Sequence, residues 1–157
     1  MKRITHSEIE TYDLAHDFAK KLKGGEVLLL IGDLGAGKTV FAKGLAAGLG
    51  ISNIITSPTF VLMKIYETKN QENKKSRKQK NNKIQHPHQI NLAHIDAYRL
   101  KSGAELAAIG AADYFGDPGF VTAIEWAERI QDIWPEKNIQ INFKIGKGNE
   151  RKIEISL

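Results

Sequence analysis

The chain has 157 residues, of which 41% are hydrophobic and none is cysteine, and its formal net charge is +5. This length and apolar content are typical of one globular domain rather than a disordered chain, and the lack of cysteine excludes a disulfide framework, a thiolate zinc site and a cysteine nucleophile. The longest apolar run, residues 27–31, is far too short to span a membrane, so we expect a cytoplasmic protein without membrane contact.

The first predicted helix begins at a capping box. Ser7 can accept a hydrogen bond from an N–H of the first turn, while Glu10 reaches back to the N–H of Ser7. Apolar residues such as Ile9 then recur at three- and four-residue steps until Gly24 ends the helix. The apolar run at residues 26–31 lies between glycines, which favours a strand buried on both faces, as in a parallel sheet.

The rest of the chain alternates helices, strands and turns. The predicted elements are a glycine-rich turn at 32–37, a helix at 38–49, hairpin strands at 59–66 and 90–95, a helix opened by a second capping box at 102–105, a strand at 120–124, a short helix at 127–133, and hairpin strands at 139–145 and 153–157. This order indicates an α/β fold with antiparallel additions.

The positive charge is concentrated in one segment. Residues 67–83 hold seven lysines and arginines against two glutamates, which leaves the rest of the chain electrically balanced. Residues 67–89 are so poor in apolar side chains that their burial cannot offset the entropy of ordering. We therefore predict a single domain over residues 1–157 with a disordered basic insert at about 67–89, whose lysines are either solvated or contact nucleic-acid phosphates non-specifically.

Residues 32–39 match the phosphate-loop pattern G-x-x-x-x-G-K-[ST] at every defined position. Glycines allow backbone N–H groups to surround phosphates, and the helix that follows directs its positive end at the anion. Lys38 would place its charge on the β- and γ-phosphates, and the hydroxyl of Thr39 could bind Mg²⁺. An ordinary glycine turn is the alternative, but the predicted strand before the motif and helix after it favour nucleotide binding.

Two acidic residues follow predicted strands. Asp96 comes directly after the strand at 90–95, and Glu125 directly after the strand at 120–124. An isolated acid at a strand end commonly caps a helix or faces solvent. In a chain that also carries a phosphate loop, the two become candidates to hold the metal and orient the attacking water, because such groups lie at the carboxyl ends of neighbouring strands.

Four motifs in this order closely resemble the TsaE family of small bacterial ATPases, which act in the synthesis of threonylcarbamoyladenosine in tRNA. They are residues 32–39, 57–60, 94–100 and 124–126, and the resemblance extends from about residue 7 to the final hairpin. It implies a three-layer P-loop fold whose central sheet is mostly parallel, with antiparallel hairpin additions. It also implies Mg²⁺-dependent ATP hydrolysis in support of the TsaB and TsaD proteins, which modify adenosine 37 of tRNAs that read codons starting with A, so that contact with tRNA would be indirect.

The resemblance also implies roles for individual residues. Thr39 and Glu125 would hold Mg²⁺, and Lys38, Asp96 and Glu125 would be catalytic. The residues that would bind ATP or ADP are Glu8, Asp33, Gly35, Ala36, Gly37, Lys38, Thr39, Val40 and Asp96. The chain departs from the family in its long, basic connection at about 67–89, where a short turn is usual.

Several alternatives remain open at this point. A P-loop small-molecule kinase would need a lid with several arginines, and a nucleotide-dependent binding module would not need hydrolysis. Residues 57–59 are either a loop that enters a strand or a switch that senses the γ-phosphate. Trp126 is either a core aromatic or part of a partner surface. None of the five arginines has an obvious arginine-finger position, so we expect slow hydrolysis by the isolated chain and faster hydrolysis with partners.

Overall fold

A computed structural model of the protein describes residues 1–68 and 89–156. The predicted disordered insert falls almost entirely on residues 69–88, which lie outside the described residues. In chain order the elements are β1 (Lys2–Thr5), α1 (Glu8–Ala19), β2 (Val27–Ile31), α2 (Lys38–Gly48), β3 (Met63–Tyr66), β4 (Asn91–Asp96), α3 (Gly103–Ala108), a 3₁₀ helix (Ala111–Tyr114), β5 (Phe120–Glu125), a 3₁₀ segment (Ala127–Ile133), β6 (Ile139–Ile145) and β7 (Arg151–Ser156).

The seven strands form one mixed sheet in the order β1-β7-β6-β2-β5-β4-β3. The four central strands β6, β2, β5 and β4 are parallel to one another. Antiparallel strands flank them on both sides, with β3 beside β4, β7 beside β6 and β1 beside β7. The predicted α/β fold, with a parallel centre and antiparallel hairpin additions, is confirmed.

The residues of β2 alternate between two hydrophobic cores. Leu28 and Leu30 belong to the larger core, which includes residues of α1 and α2. Val27 and Leu29 belong to a second core with residues of α3 and the two 3₁₀ segments. Because successive side chains of a strand point to opposite faces, the sheet is covered on both sides and the fold has three layers. In the described ranges, no helix has the length and apolarity needed to cross a membrane.

The first helix begins as predicted, but its capping partner differs. Ser7 accepts a hydrogen bond from the N–H of Glu10 at 3.1 Å, whereas the Glu10 carboxylate accepts from the N–H of His6, not from that of Ser7. The α-helix ends at Ala19, before the glycines that were predicted to stop it. Ile9, predicted to lie on the apolar face, is exposed.

The second predicted capping box is wrong in its main contact. Within the described chain the side chain of Ser102 makes no capping hydrogen bond to α3. The N–H of Gly103 donates instead to both carboxylate oxygens of Asp132 at 3.0 Å, so the cap comes from the distant 3₁₀ segment. Glu105 accepts from the N–H of Lys101. A tertiary contact has replaced a local one, which sequence spacing cannot reveal.

The predicted strand at 59–66 begins only at Met63. The carbonyl oxygen of Pro58 accepts from the N–H groups of Val61 and Leu62 and folds these residues into a turn, with Leu62 at φ +64°. The short strand β1 was not predicted, because its four residues have no apolar alternation and join the sheet at its edge by pairing with β7. The short helix predicted at 127–133 is two 3₁₀ turns separated by a kink at Ile130.

The insert is attached far from the carboxyl end of the parallel strands. Tyr66 pairs with Leu92, near the start of β4, so the chain leaves β3 at the end of the sheet opposite to Asp96. The N–H of Thr68 donates to the side chain of Asn91 at 3.1 Å and holds this end of the hairpin closed. The described attachment points of the insert are therefore remote from the phosphate loop.

Helices α1 and α2 approach closely through glycine. A Cβ atom built on Gly44 would lie 2.8 Å from the Cβ of Ala15 and would overlap the carbonyl oxygen of Tyr12. Gly44→Ala should therefore destabilise the fold by about 1–3 kcal/mol through overpacking, although alanine is intrinsically the better helix former by about 1 kcal/mol. Urea unfolding followed by circular dichroism measures the difference.

The control for this prediction is Lys43→Ala, an exposed position on the same helix. Its free energy of unfolding should stay within about 0.5 kcal/mol of wild type. A Gly44→Ala protein as stable as wild type, or more stable, would contradict the close packing of the two helices.

Candidate nucleotide-binding site

A cavity of about 780 Å³ lies where β2, β5 and β4 end. Its walls come from four parts of the chain: the start of α1, the phosphate loop with the start of α2, the segment 57–59 together with the ends of β4 and β5, and the β6–β7 hairpin. The lining residues are Ser7, Glu8, Thr11, Leu34, Gly35, Ala36, Gly37, Lys38, Thr39, Val40, Ser57, Thr59, Asp96, Tyr98, Glu125, Trp126, Asn149 and Arg151.

The phosphate loop connects β2 directly to α2. Gly32 lies against β6 so closely that an added Cβ would be 2.5 Å from the carbonyl oxygen of Phe143, and a larger residue would displace the loop. Gly37 precedes α2 in the left-handed conformation, with φ +103°, and no side chain of the described residues caps the helix there. The first-turn N–H groups of α2 are therefore available to an anion.

Lys38 is buried at the base of the loop, with 4% of its surface exposed. Its ammonium group donates to the carbonyl oxygens of Gly32 and Asp33, the second at 2.9 Å, and lies 3.7 Å from the ring centre of Trp126. Burial lowers the pKa of Lys38 below its ordinary value, and nearby carboxylates, Glu125 foremost, offset part of this effect. The ammonium group has thus lost most of its hydration while remaining at the edge of the cavity.

Glu125 ends β5 beside the phosphate loop, because β5 pairs in parallel with β2 and sets Glu125 opposite Leu30. Only 2% of its surface is exposed. One carboxylate oxygen, Oε2, accepts from the hydroxyl of Thr39 at 2.8 Å, and the other, Oε1, lies 2.9 Å from Nε2 of His94. The buried carboxylate thus has a separate hydrogen-bond partner on each oxygen.

The oxygens of Thr39 and Glu125 are a donor set that suits Mg²⁺. Mg²⁺ prefers oxygen ligands and in nucleotide sites is held by one or two side chains together with phosphate oxygens and water. Across residues 1–68 and 89–156 there is no cluster of three His, Cys, Asp or Glu side chains that could hold a metal ion by itself. These two residues fit a metal site that bound phosphates would complete.

Asp96 ends β4 next to Glu125, with which it pairs across the sheet. Its Oδ2 atom accepts from the hydroxyls of Ser57 and Thr59 at 2.6 and 2.5 Å, and Oδ1 accepts from the N–H of Tyr98 at 2.9 Å. The two hydroxyls are also 2.7 Å apart. The segment at 57–59 is thus more than a loop that enters a strand, because it forms a wall of the cavity and is tied to a buried carboxylate.

The structure brings the residues singled out in the sequence into this one cavity, with one exception. Asp33 does not line the cavity; its carbonyl oxygen instead holds the Lys38 ammonium group. Glu8, at the start of α1, is exposed and lines the cavity. The carboxylates Asp96 and Glu125 and the loop residues from Gly35 to Val40 all face the same space.

Sequence reasoning missed the wall formed by the β6–β7 hairpin. It did not place Arg151 at the site, but Arg151 lines the cavity and its Nε donates to the carbonyl oxygen of Gly35 at 3.3 Å. Asn149 lines the cavity as well. Arg151 is 116 positions from Gly35 in sequence, and the hairpin reaches the phosphate loop only because β6 pairs with β2 and β7 with β6. No local pattern signals this approach.

Trp126 was predicted to be either a core aromatic or part of a partner surface, and it is both packed and accessible. It follows Glu125 in the left-handed region, with φ +59°, and is half-buried against the second hydrophobic core. One part of the ring covers the Lys38 ammonium group, and the ring centre is 5.0 Å from that of Tyr98. Trp126 therefore forms a wall of the cavity over the phosphate-loop lysine.

Comparisons with known proteins agree with these observations. A family model described as "Threonylcarbamoyl adenosine biosynthesis protein TsaE" matches residues 5–153. The chain is 38% identical over 153 residues to tRNA threonylcarbamoyladenosine biosynthesis protein TsaE of Bacillus subtilis, covering 98% of this chain and 83% of that relative. It is 33% identical over 156 residues to the protein of the same name from Treponema pallidum, covering 99% and 100%. The crystal structure of Bacillus subtilis YdiB matches with a TM-score of 0.71 at 35% identity, covering 98% of this chain and 82% of that one.

The buried position of Lys38 gives a prediction about binding and stability together. Lys38→Met removes a charge-assisted hydrogen bond to a phosphate, which is worth about 1.5–3 kcal/mol, so affinity for ADP should fall roughly 10- to 100-fold in isothermal titration calorimetry. The fold should lose no more than about 1 kcal/mol, because the variant also removes a desolvated charge. Lys43→Ala, exposed on the same helix, is the control and should bind ADP normally.

The lowered pKa of Lys38 fixes the direction of a pH effect on stability. Between that lowered pKa and the ordinary value of 10.5, the unfolded chain binds more protons at this amine than the folded chain does. The free energy of unfolding of wild type should therefore rise relative to Lys38→Met as the pH increases through this interval.

Normal ADP affinity in Lys38→Met would contradict the assignment of the phosphate site.

Proposed function

The chain belongs to the TsaE family of tRNA threonylcarbamoyladenosine biosynthesis proteins, and we propose that it serves this pathway as a Mg²⁺-dependent ATPase. The observation that supports this most strongly is the convergence in one cavity of the buried Lys38, the Thr39–Glu125 pair and Asp96. A phosphate loop alone would serve any nucleotide-binding protein. The two carboxylates beside it supply what hydrolysis needs in addition.

Binding would begin at the phosphate loop. The phosphates of ATP or ADP would lie against the first turn of α2, and the Lys38 ammonium group would exchange its bonds to the carbonyl oxygens of Gly32 and Asp33 for bonds to phosphate oxygens. The exchange is favourable because the ammonium group is already desolvated and needs little reorganisation. Glu8, at the start of α1, would contact the nucleotide from the other side of the cavity.

Thr39 and Glu125 would hold Mg²⁺. The bound ion would neutralise part of the charge on the phosphates. The Thr39 hydroxyl and the Oε2 atom of Glu125, which are 2.8 Å apart, would be the two side-chain ligands of the ion. A carboxylate that is buried and hydrogen-bonded on both oxygens is already oriented for this task.

Asp96 would orient the attacking water, and the segment 57–59 would act as the switch. Asp96 lies beside Glu125 at the same edge of the sheet and accepts two hydroxyl hydrogen bonds on one oxygen. A γ-phosphate competes for these hydroxyls, since it offers stronger acceptors than a carboxylate already shared by two donors. Ser57 and Thr59 would turn to the γ-phosphate when ATP is bound and return to Asp96 after hydrolysis, which would couple the chemistry to movement of the segment 57–59.

We propose that hydrolysis is slow in the isolated chain and becomes faster with TsaB and TsaD. Arg151 is the one arginine that lines the cavity in the described chain, and its guanidinium group already donates to Gly35 and to carbonyls of its own hairpin. It is not directed at a developing charge in the way that a catalytic arginine would be. Contact with tRNA would be indirect, through the two partners, and this role belongs to the cytoplasm.

A small-molecule kinase is not favoured. Such an enzyme needs a second pocket for its acceptor and several basic residues over the phosphates, whereas the described lining of the cavity has only Lys38 and Arg151 as cations. The relatives that match along nearly the whole chain are named for tRNA threonylcarbamoyladenosine biosynthesis. A nucleotide-dependent binding module, in which hydrolysis has no role, is distinguished from the proposal by experiment.

Glu125→Gln separates binding from turnover. The variant keeps the shape of the side chain and loses its charge, so ATP hydrolysis should fall about 10²-fold or more, whereas ADP binding in EDTA should remain normal. The variant should also fail to restore threonylcarbamoyladenosine in the tRNA of cells depleted of their own TsaE. Glu105→Gln, an exposed change on α3, is the control and should support modification. Normal modification with Glu125→Gln would favour the binding module.

Mixing with TsaB and TsaD tests dependence on partners. The rate of phosphate release from ATP should rise by on the order of tenfold when both proteins are present, because a coupling of 1–3 kcal/mol is typical between bound partners and a site. The measurement uses ATP labelled in the γ-phosphate and follows where the label appears. An unchanged rate would contradict the proposal, and label transferred to a metabolite instead of released as phosphate would favour the kinase.

A further inference from the structure

We propose that His94 is a positioning residue for the magnesium ligand Glu125. Its Nε2–H group holds one carboxylate oxygen inside the sheet and so directs the other oxygen to Thr39 and the metal. This inference rests on the proposed function, because it assumes that Glu125 binds Mg²⁺ together with a nucleotide. The role differs from that of the cavity-lining residues, since His94 does not line the cavity and touches the site only through Glu125.

The parallel pairing of β4 and β5 places His94 below the carboxylate. His94 pairs with Ala123, two residues before Glu125, and Asp96 pairs with Glu125 itself. Residues two apart in a strand point to the same face, so the histidine ring and both carboxylates lie on one face of the sheet. The imidazole is one step deeper than Glu125, is fully buried with 0% of its surface exposed, and approaches Oε1 to 2.9 Å.

The chemistry of the pair determines which group donates. As a ligand of Mg²⁺, Glu125 would be an ionised carboxylate, which can only accept hydrogen bonds, so Nε2 of His94 would carry the hydrogen. The second oxygen of Glu125 accepts from Thr39, which is the residue that would share the metal with it. His94 therefore binds Oε1 of Glu125, on the side of the sheet, and leaves Oε2 directed at the cavity.

The other ring nitrogen of His94 argues against a purely structural role. Nδ1 is buried and has no hydrogen-bond partner among the described residues. An unpaired polar atom in a core costs free energy. An apolar side chain of similar size at position 94 would avoid this cost, as the buried Leu92 of the same strand does. What the histidine supplies in return is the single hydrogen bond to Glu125.

Loss of that hydrogen bond should act on the metal and not on the nucleotide. Without it, Oε1 is left buried with no donor, and the carboxylate is free to rotate or move away from Thr39. Groups in the phosphate loop should be unaffected, because among the described residues the side chain of His94 forms a hydrogen bond only with Glu125. Partners of metal-binding side chains commonly change metal affinity 10- to 100-fold when they are removed.

The test compares His94→Leu with His94→Gln in the full-length chain. Leucine has similar volume and no donor, whereas the glutamine side chain can bring an N–H group to the position of Nε2. Calorimetry measures ADP affinity over a series of Mg²⁺ concentrations and again in EDTA, and thermal unfolding is recorded beside it. The Mg²⁺ midpoint is the concentration at which Mg²⁺ has produced half of its effect on ADP affinity. It should rise roughly tenfold in His94→Leu and return close to the wild-type value in His94→Gln. ADP affinity measured in EDTA should be unchanged in both variants.

Three outcomes would overturn the inference. The first is an unchanged Mg²⁺ midpoint in His94→Leu, and the second is an equal shift of the midpoint in His94→Leu and His94→Gln. The third is a further shift of the midpoint when His94→Leu is added to Glu125→Gln. If His94→Leu does not fold, His94→Asn replaces it, since its amide is too short to reach Oε1. A midpoint equal to that of His94→Gln would then overturn the inference. A wild-type protein whose ADP affinity does not respond to Mg²⁺ would instead overturn the proposed function on which the inference rests.

Discussion

The site depends on the register between three parallel strands. Strand β5 pairs with β2 on one side and with β4 on the other, which sets Glu125 opposite Leu30 and Asp96 at once. Because the side chains of a strand alternate, a slip of one residue would turn either carboxylate to the opposite face of the sheet, into the second hydrophobic core. The same register that buries the cores therefore also brings two carboxylates to the end of the phosphate loop.

Three charged side chains are buried at this point, and each is stabilised by groups of the protein. Lys38 is held by backbone carbonyls and by the face of Trp126, Glu125 by Thr39 and His94, and Asp96 by the two hydroxyls of residues 57–59. Buried charges are costly unless they are paired in this way. Under the proposed function, phosphates and Mg²⁺ replace several of these internal partners, so the nucleotide-free protein already has the groups oriented that binding requires.

The antiparallel additions do more than extend the sheet. Strand β7 and the turn before it carry Arg151 and Asn149 to the phosphate loop, and the segment 57–59, which contacts Asp96, precedes β3. The proposed switch segment therefore lies at the β3 edge of the parallel centre. The described attachment points of the basic insert lie at the opposite end of the β3–β4 hairpin from Asp96.

The phosphate loop, the central strands and the two carboxylates could all be predicted from the amino-acid sequence. Their signals are local: a glycine pattern between an apolar run and a helix, and acids directly after apolar strands. Four contacts became visible only in the folded chain: the capping of α3 by Asp132, the pairing of β1, the approach of Arg151 to Gly35 and the contact of His94 with Glu125. Each of them joins residues far apart in sequence, so it exists only once strand order and register are established, and no neighbouring residue carries its signal.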